Sequence, residues 1–426
     1  MNPFEIVAAK GRRVWDSRGR PTVEAEVFLA SGAMGRAMAP AGASTGSGEA
    51  VDRRDGGAAF GGHDVKGAVA AVGGALADAV RGLDARDQAA VDRAMIDADG
   101  SPDRSRLGAN AIVAVSMAVA WAAANQAGEP LWRMLGGDAA CQMPLPEIQI
   151  FGGGAHAGRR VDVQDFLLVC PGAESFAQAL DWTAEVYRAA GDIMAERGAL
   201  MGVADEGGYW PAFDRNEDAL DALALAIERA GFRAPDQAAI ALDIAASEFG
   251  RCGRYTLALE NRALDSEAMA GMVADWTRRY PIVSVEDALG EDDFDGMALL
   301  TRQIGASVQI VGDDFLVTDA ERVRQAAAGG ACNAVLLKPN QRGTLTETLA
   351  AWDAAKAAGF GAIVSARSGE TEDVTIIHLA VGWGVPQFKV GSFTRSERMA
   401  KWNEALRIEE ALGARATFAG RSALVG

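Results

Sequence analysis

Apolar and polar positions along this chain follow two rhythms, which change near residue 140. In the first part, residues 22–29 alternate apolar with polar side chains, the period of a half-buried strand. Residues 5–14 and 33–39 read as its neighbours, and Asp16-Ser17-Arg18-Gly19 reads as the turn between the first two. A loop rich in Gly, Ser and Thr follows at 40–48. Helical spacing then runs from about 65 to 135. Within it, the apolar run 111–124 predicts a buried helix, since it is broken by Ser116 and too short to span a bilayer. Gly and Pro gather at 136–146, where the pattern places a domain boundary.

Beyond that boundary short apolar runs recur, each closing on a charged side chain. Runs 239–243, 282–286 and 308–313 end on Asp243, Glu286 and Asp313. Runs 334–338, 362–367 and 387–389 end on Lys338, Arg367 and Lys389. Ala-rich segments of helical spacing lie between them. Strands alternating with helices predict an α/β fold with a parallel sheet. So many units predict a closed barrel, whose chemistry would sit at the C-terminal ends of its strands. A doubly wound open sheet is the alternative. It is disfavoured because no G-x-G-x-x-G follows a first strand.

Composition narrows the classes. With 426 residues, 49% hydrophobic and 23% charged, the chain has ordinary globular make-up. A net charge of −17 opposes binding to nucleic acid or to anionic membrane, both of which need clustered cations. The cysteines Cys141, Cys170, Cys252 and Cys332 form no C-x-x-C pair. They read as buried thiols of a reducing compartment rather than a disulfide frame or zinc site. The first residues carry no apolar secretory core, so a cytoplasmic location is expected.

Of 41 basic residues six are lysine: Lys10, Lys66, Lys338, Lys356, Lys389 and Lys401. Where either cation would serve, this chain uses Arg. The lysines at strand ends therefore point to lysine's own chemistry, the ability to give up a proton. Three carboxylates at successive strand ends, with no His or Cys beside them, suit a hard cation such as Mg²⁺ or Mn²⁺. Separate helix N-caps are the plainer explanation for any one of them. A lysine beside divalent cations would have a lowered pKa and could act as a general base, against the alternative of a structural ion pair. Glu206 in Asp205-Glu206-Gly207-Gly208 and His156 in a Gly-rich loop are weaker candidates, and loop 40–48 reads as a mobile lid or as plain surface. The acids Asp165, Glu206, Asp243, Glu286 and Asp313 outnumber the cations Lys338, Arg367 and Lys389. Two divalent cations would turn that balance positive and draw a small anionic acid or phosphate.

These motifs, in this order, resemble the enolase family, the 2-phosphoglycerate dehydratases. The likeness extends from Val14-Trp15-Asp16-Ser17-Arg18-Gly19 to Arg395-Ser396-Glu397-Arg398. It is sharpest at Gly42-Ala43-Ser44-Thr45-Gly46, Ser284-Val285-Glu286-Asp287, Gly312-Asp313-Asp314, Leu337-Lys338-Pro339-Asn340-Gln341 and Arg367-Ser368-Gly369-Glu370. The resemblance implies a TIM-like β2α2(βα)6 barrel at 138–426 under an N-terminal α+β capping domain at 1–137. It implies two Mg²⁺ per site, the second arriving with substrate. Asp243, Glu286 and Asp313 would hold the first and Ser44 would help hold the second. Lys338 would abstract the proton alpha to a carboxylate, and Glu206 would protonate the leaving hydroxyl. Arg367 and Ser368 would hold the phosphate and Lys389 the carboxylate, with His156 and Asp165 also lining the substrate pocket. A small anionic phospho-carboxylate substrate, a place in glycolysis and a homodimer or higher homo-oligomer are implied as well, with no nucleic-acid or membrane partner.

Five positions depart from the family's usual pattern. Ala366 stands for His, Asp165 for Glu, Phe151-Gly152-Gly153 for Asn-Gly-Gly, Gly48 for Arg or His, and Arg159 for Asn or a small residue. The first four are expected in or near the pocket, and Arg159 is a candidate to restore a lost cation. Three readings follow: an enolase, a paralogue acting on another phospho- or phosphono-carboxylate as carboxyphosphonoenolpyruvate synthases do, and a non-catalytic binding protein.

Overall fold

The structure, a computed structural model, describes residues 2–424. Residue 1 of the expected cap and residues 425–426 of the expected barrel lie outside the described residues.

The N-terminal strands Ile6–Trp15, Pro21–Leu29 and Met34–Met38 form an antiparallel meander, close to their predicted bounds. Val23, Ala25, Val27 and Leu29 bury their side chains in the core shared with the helix Ala109–Ala127. The polar face of the central strand is covered as well. Arg36 Nη2 lies 2.6 Å from Glu26 Oε1, and Arg12 pairs with both Glu24 and Glu26. The alternation is real, but arginines take the place of water on its outer side.

The helical stretch read from 65 to 135 is five α-helices, Lys66–Ala71, Ala77–Val80, Gln88–Asp99, Ala109–Ala127 and Leu131–Gly136, the first two joined by a π-helical turn, Val72–Leu76. Gly74 leaves helical backbone (φ −110°, ψ −107°), and Gly100 and Gly128 take the left-handed C-terminal position at φ 69°. The expected buried helix is Ala109–Ala127. Its Ser116 hydroxyl donates to Asp92 at 2.7 Å and accepts from the Leu345 N–H at 3.0 Å. Asp92 accepts from Thr346 N at 2.9 Å, so one buried polar pair joins cap to barrel. Among the described residues no single helix is long and apolar enough to cross a membrane.

Eight strands close the barrel: Leu145–Gly152, Asp165–Val169, Ala239–Asp243, Ile282–Glu286, Gln309–Gly312, Ala334–Leu337, Gly361–Ser365 and Gln387–Ser392. The parallel sheet expected from the strand–helix rhythm needs one correction. Asp165–Val169 runs antiparallel to both of its neighbours. Two helices, Phe176–Glu196 and Asn216–Arg229, follow it before six strand–helix units complete the ring. This is the β2α2(βα)6 order. Inside the ring small apolar side chains pack from adjacent strands, and Gln309 and Gln387 exchange amide hydrogen bonds at 3.2 and 2.9 Å.

All four cysteines are free. Cys170 and Cys332 are buried, but Cys141 is half-buried and Cys252 exposed, which corrects the expectation of four buried thiols. Cys252 sits at φ 50° in the turn between two short strands, where no core covers it.

Candidate active site

Each side chain singled out at a strand end opens toward the same rim. A small polar pocket there is lined by Ser44, His156, Asp165, Glu206, Asp243, Lys338, Arg367, Ser368 and Lys389, among others. The geometry follows from strand periodicity: the last inward-facing residue of a barrel strand projects into the mouth. Glu286 and Asp313 stand just behind, each against a lysine. Lys389 Nζ lies 2.9 Å from Asp243 Oδ2, 2.8 Å from Glu286 Oε2 and 3.8 Å from Asp165 Oδ2. Lys338 Nζ lies 2.5 Å from Asp313 Oδ2. The expected single point of three carboxylates is therefore divided between two lysines. The oxygens that gather within 4.8 Å of one another are those of Asp287, Asp313 and Asp314, and separately the groups of His156, Asp165 and Glu206.

Burial and charge set the protonation states. Burial disfavours the charged form of Lys389, but Asp243 and Glu286 outweigh it and hold its pKa well above the ordinary lysine value. Burial also works against charge on Lys338, but the carboxylates of Asp313 and Glu286 together outweigh it and raise its pKa; the lowering expected beside divalent cations concerns the metal-bound site. Burial and then Asp243 push Glu286 well above the carboxylate range. Burial alone would lower His156, but Glu206 and Asp165 lift it to about 9. Its Nδ1 is 3.2 Å from Asp165 Oδ1 and its Nε2 is 3.9 Å from Glu206 Oε1. At neutral pH His156 is a cation between two acids.

A divalent metal fits the carboxylates. Glu286 Oε1 is buried without a hydrogen-bond partner, an oxygen whose burial is costly unless something binds it. Asp243, Glu286 and Asp313 offer oxygen alone, the donor set of Mg²⁺.

The loop 40–48 lies over the mouth, with Gly42, Ala43 and Ser44 in the pocket lining. Arg367 donates from Nη2 to the Ser44 carbonyl at 2.9 Å and pairs through Nη1 with Glu49 at 2.9 Å. Ser47 N donates to Glu291 at 2.8 Å. From behind, the buried Arg398 guanidinium donates to the carbonyls of Arg367 at 2.6 Å and Ser368 at 2.5 Å. The loop that carries both residues is thus held from two sides.

Several contributors escaped the residue reading. Gln164 donates to Asp243 at 3.0 Å and Gln341 to Asp313 at 2.9 Å. Asp287 accepts the N–H groups of Asp313 and Asp314 at 2.8 and 2.7 Å. Gln164 and Asp287 adjoin residues already singled out, and Asp287 and Gln341 lie inside the family-like motifs, but neither adjacency nor motif showed which carboxylate or N–H each would hold. Of the five departures, Asp165 and Ala366 line the pocket. Phe151 turns instead into the apolar core, edge-on to Phe213. Arg159 points outward to Glu248 at 2.7 Å and so supplies no cation. Beside Gly48 the Arg322 guanidinium fills the space a side chain would take.

Comparison with known proteins agrees along the chain. Residues 6–135 match the family model for the enolase N-terminal domain, and residues 140–425 match that for the enolase C-terminal TIM barrel domain. Enolase 1 of Desulfitobacterium hafniense (strain Y51) is 48% identical over 421 residues, 98% of this chain and 96% of that protein. With both halves matched and a full-length relative at that identity, the chain belongs to the enolase family of hydro-lyases.

Proposed function

We propose that the protein dehydrates 2-phosphoglycerate to phosphoenolpyruvate with Mg²⁺. The observation that carries this reading is one pocket lined by Lys338, Glu206, Lys389, Arg367 and Ser368. A proton alpha to a carboxylate is very weakly acidic, and its removal builds a second negative charge beside the first. Lys338 would take that proton and Glu206 would deliver one to the departing hydroxyl. Lys389 would face the carboxylate and Arg367 with Ser368 the phosphate, while His156 and Asp165, beside Glu206 and Lys389, would also line the substrate pocket. Asp243, Glu286 and Asp313 would hold one Mg²⁺ and Ser44 would help hold another. When bound, the metal would neutralise the carboxylate charge that builds up. Burial, Arg367 and Lys389 all favour the neutral amine of Lys338, opposed chiefly by Asp313. Family membership supports a glycolytic role, action in the cytoplasm and a homodimer, which sedimentation would test.

The decisive assay follows phosphoenolpyruvate by its ultraviolet absorbance, with Mg²⁺, with chelator, and in Lys338→Ala. Turnover that vanishes under both perturbations is expected. No turnover by a folded, Mg²⁺-binding protein would sink the assignment. It would direct attention to phosphonate-bearing carboxylates, with Ala366 and Asp165 as the departures from the family pattern that line the pocket.

A further inference from the structure

Gln149 lies on the barrel strand Leu145–Gly152 and is fully buried. Its amide makes two hydrogen bonds of opposite sense. Nε2 donates to Asp165 Oδ1 at 2.5 Å, and Oε1 accepts from the Gly208 N–H at 2.8 Å. One partner can only accept and the other can only donate, so the amide has one orientation. Asp165 Oδ1 is also the oxygen that meets His156, while Oδ2 faces Lys389 at 3.8 Å. Gly208 closes the turn that carries Glu206, whose carbonyl is fixed by the Ser392 N–H at 3.0 Å. One side chain thus spans from the acid on one side of His156 to the turn that carries the acid on the other.

The surroundings are cut to let it do so. A Cβ on Gly208 would stand 2.5 Å from Gln149 Oε1, and one on Gly152, the strand partner of Asp165, would stand 3.0 Å from it. Glycine at both positions leaves the channel the long amide occupies. Without that donor, Asp165 has a buried cation on its far side to turn toward, Lys389. Turning would take Oδ1 off His156.

We propose that Gln149 is a positioning residue, which sets Asp165 against His156 and holds the Glu206 turn at the matching distance. This rests on the dehydration reading above. It makes a specific demand on length: the four-atom reach of Gln from Cβ to Nε2 plus the short arm of Asp must equal the gap. Shortening one arm and lengthening the other by a methylene should restore what either change alone destroys.

The test is a cycle of Gln149→Asn, Asp165→Glu and the double variant, with Gln149→Glu as a control. Values of kcat and KM for 2-phosphoglycerate are read together with melting temperatures in chelator. Each single variant is expected to lose about 10-fold or more in kcat with a smaller change in KM, as misplacement near reacting groups does. The double variant should return to within about 3-fold of the parent, a coupling that independent sites do not show. Gln149→Glu keeps the reach but sets a carboxylate against Asp165, and should be as poor as the single variants. If the kcat losses multiply in the double variant, the proposal is overturned, even where the melting temperature is rescued, because the contact then serves only the fold. A parent protein that does not turn over 2-phosphoglycerate would sink the dehydration reading and the positioning role with it. Rescue in the melting temperatures would still show that the two arms are length-matched.

Discussion

On the proposed reading Lys338 must lose a proton, yet the Asp313 carboxylate 2.5 Å away favours keeping it. Lysine can be moved between those states by its surroundings and arginine cannot. Lys338→Arg should therefore keep the ion pair with Asp313 and a near-parental melting temperature. It should lose roughly 100- to 10,000-fold in kcat, the range a general base contributes. Stopped assays beside thermal melts would check this, and an active arginine variant would remove Lys338 from the role. The scarcity of lysine made this residue conspicuous in the sequence. The amides of Gln149, Gln164 and Gln341 were not conspicuous, though each holds a carboxylate of the site. An uncharged amide leaves no mark in charge or periodicity. Its importance appears only when the strands on either side are placed.

Strands that end on a charge were the readable elements, because a barrel strand is a short apolar run whose last side chain meets solvent or ligand. The strand Asp165–Val169 was harder to read. A Gly-rich loop rather than a helix joins it to Leu145–Gly152, so no strand–helix rhythm announced it, and nothing in its residues marked its antiparallel sense. The break-up of the 65–135 helical stretch depended on single glycines whose backbone state periodicity does not reveal. Glycines also separate two outcomes at this scale. A Cβ on Gly35 would lie 2.0 Å from the Ala118 carbonyl and 2.2 Å from the Ala122 nitrogen, both backbone atoms of the buried helix Ala109–Ala127. Gly35→Ala must push helix from sheet and should cost at least about 1–3 kcal/mol, the scale of overpacking. Gly271 lies exposed inside the helix Ser266–Arg279 with open space around it. Gly271→Ala should stabilise by about 0.5–1 kcal/mol. Urea titrations of the two variants should move in opposite directions, and a shared sign would refute the packing argument.

For the molecule as a whole, the barrel interior holds an acid that the proposed chemistry leaves unused. Glu147 pairs in register with Lys389 on the neighbouring strand, is buried, and has an oxygen without a partner. Burial is the main cause that lifts its pKa to about 7, against a smaller pull downward from Lys389. In the unfolded chain a glutamate titrates near 4.3. Below that value both states are protonated and Glu147 costs nothing electrostatically. As pH rises toward 7 the unfolded chain loses the proton while the folded one keeps it, so stability falls by linkage. The loss is about 1.4 kcal/mol for each unit by which the pKa is raised, and it is complete once pH exceeds the folded value. Glu147→Gln removes the titration and keeps the shape. In chelator, where Lys389 retains its carboxylate partners, the variant should melt at higher temperature than the parent at pH 8. The gap should shrink through pH 7 to 5 and be small near pH 4. A gap independent of pH would mean that Glu147 titrates alike in the folded and unfolded chain, and a parent that gains on the variant as pH rises from 4 would mean that Lys389 holds it charged; either outcome refutes the neutral acid.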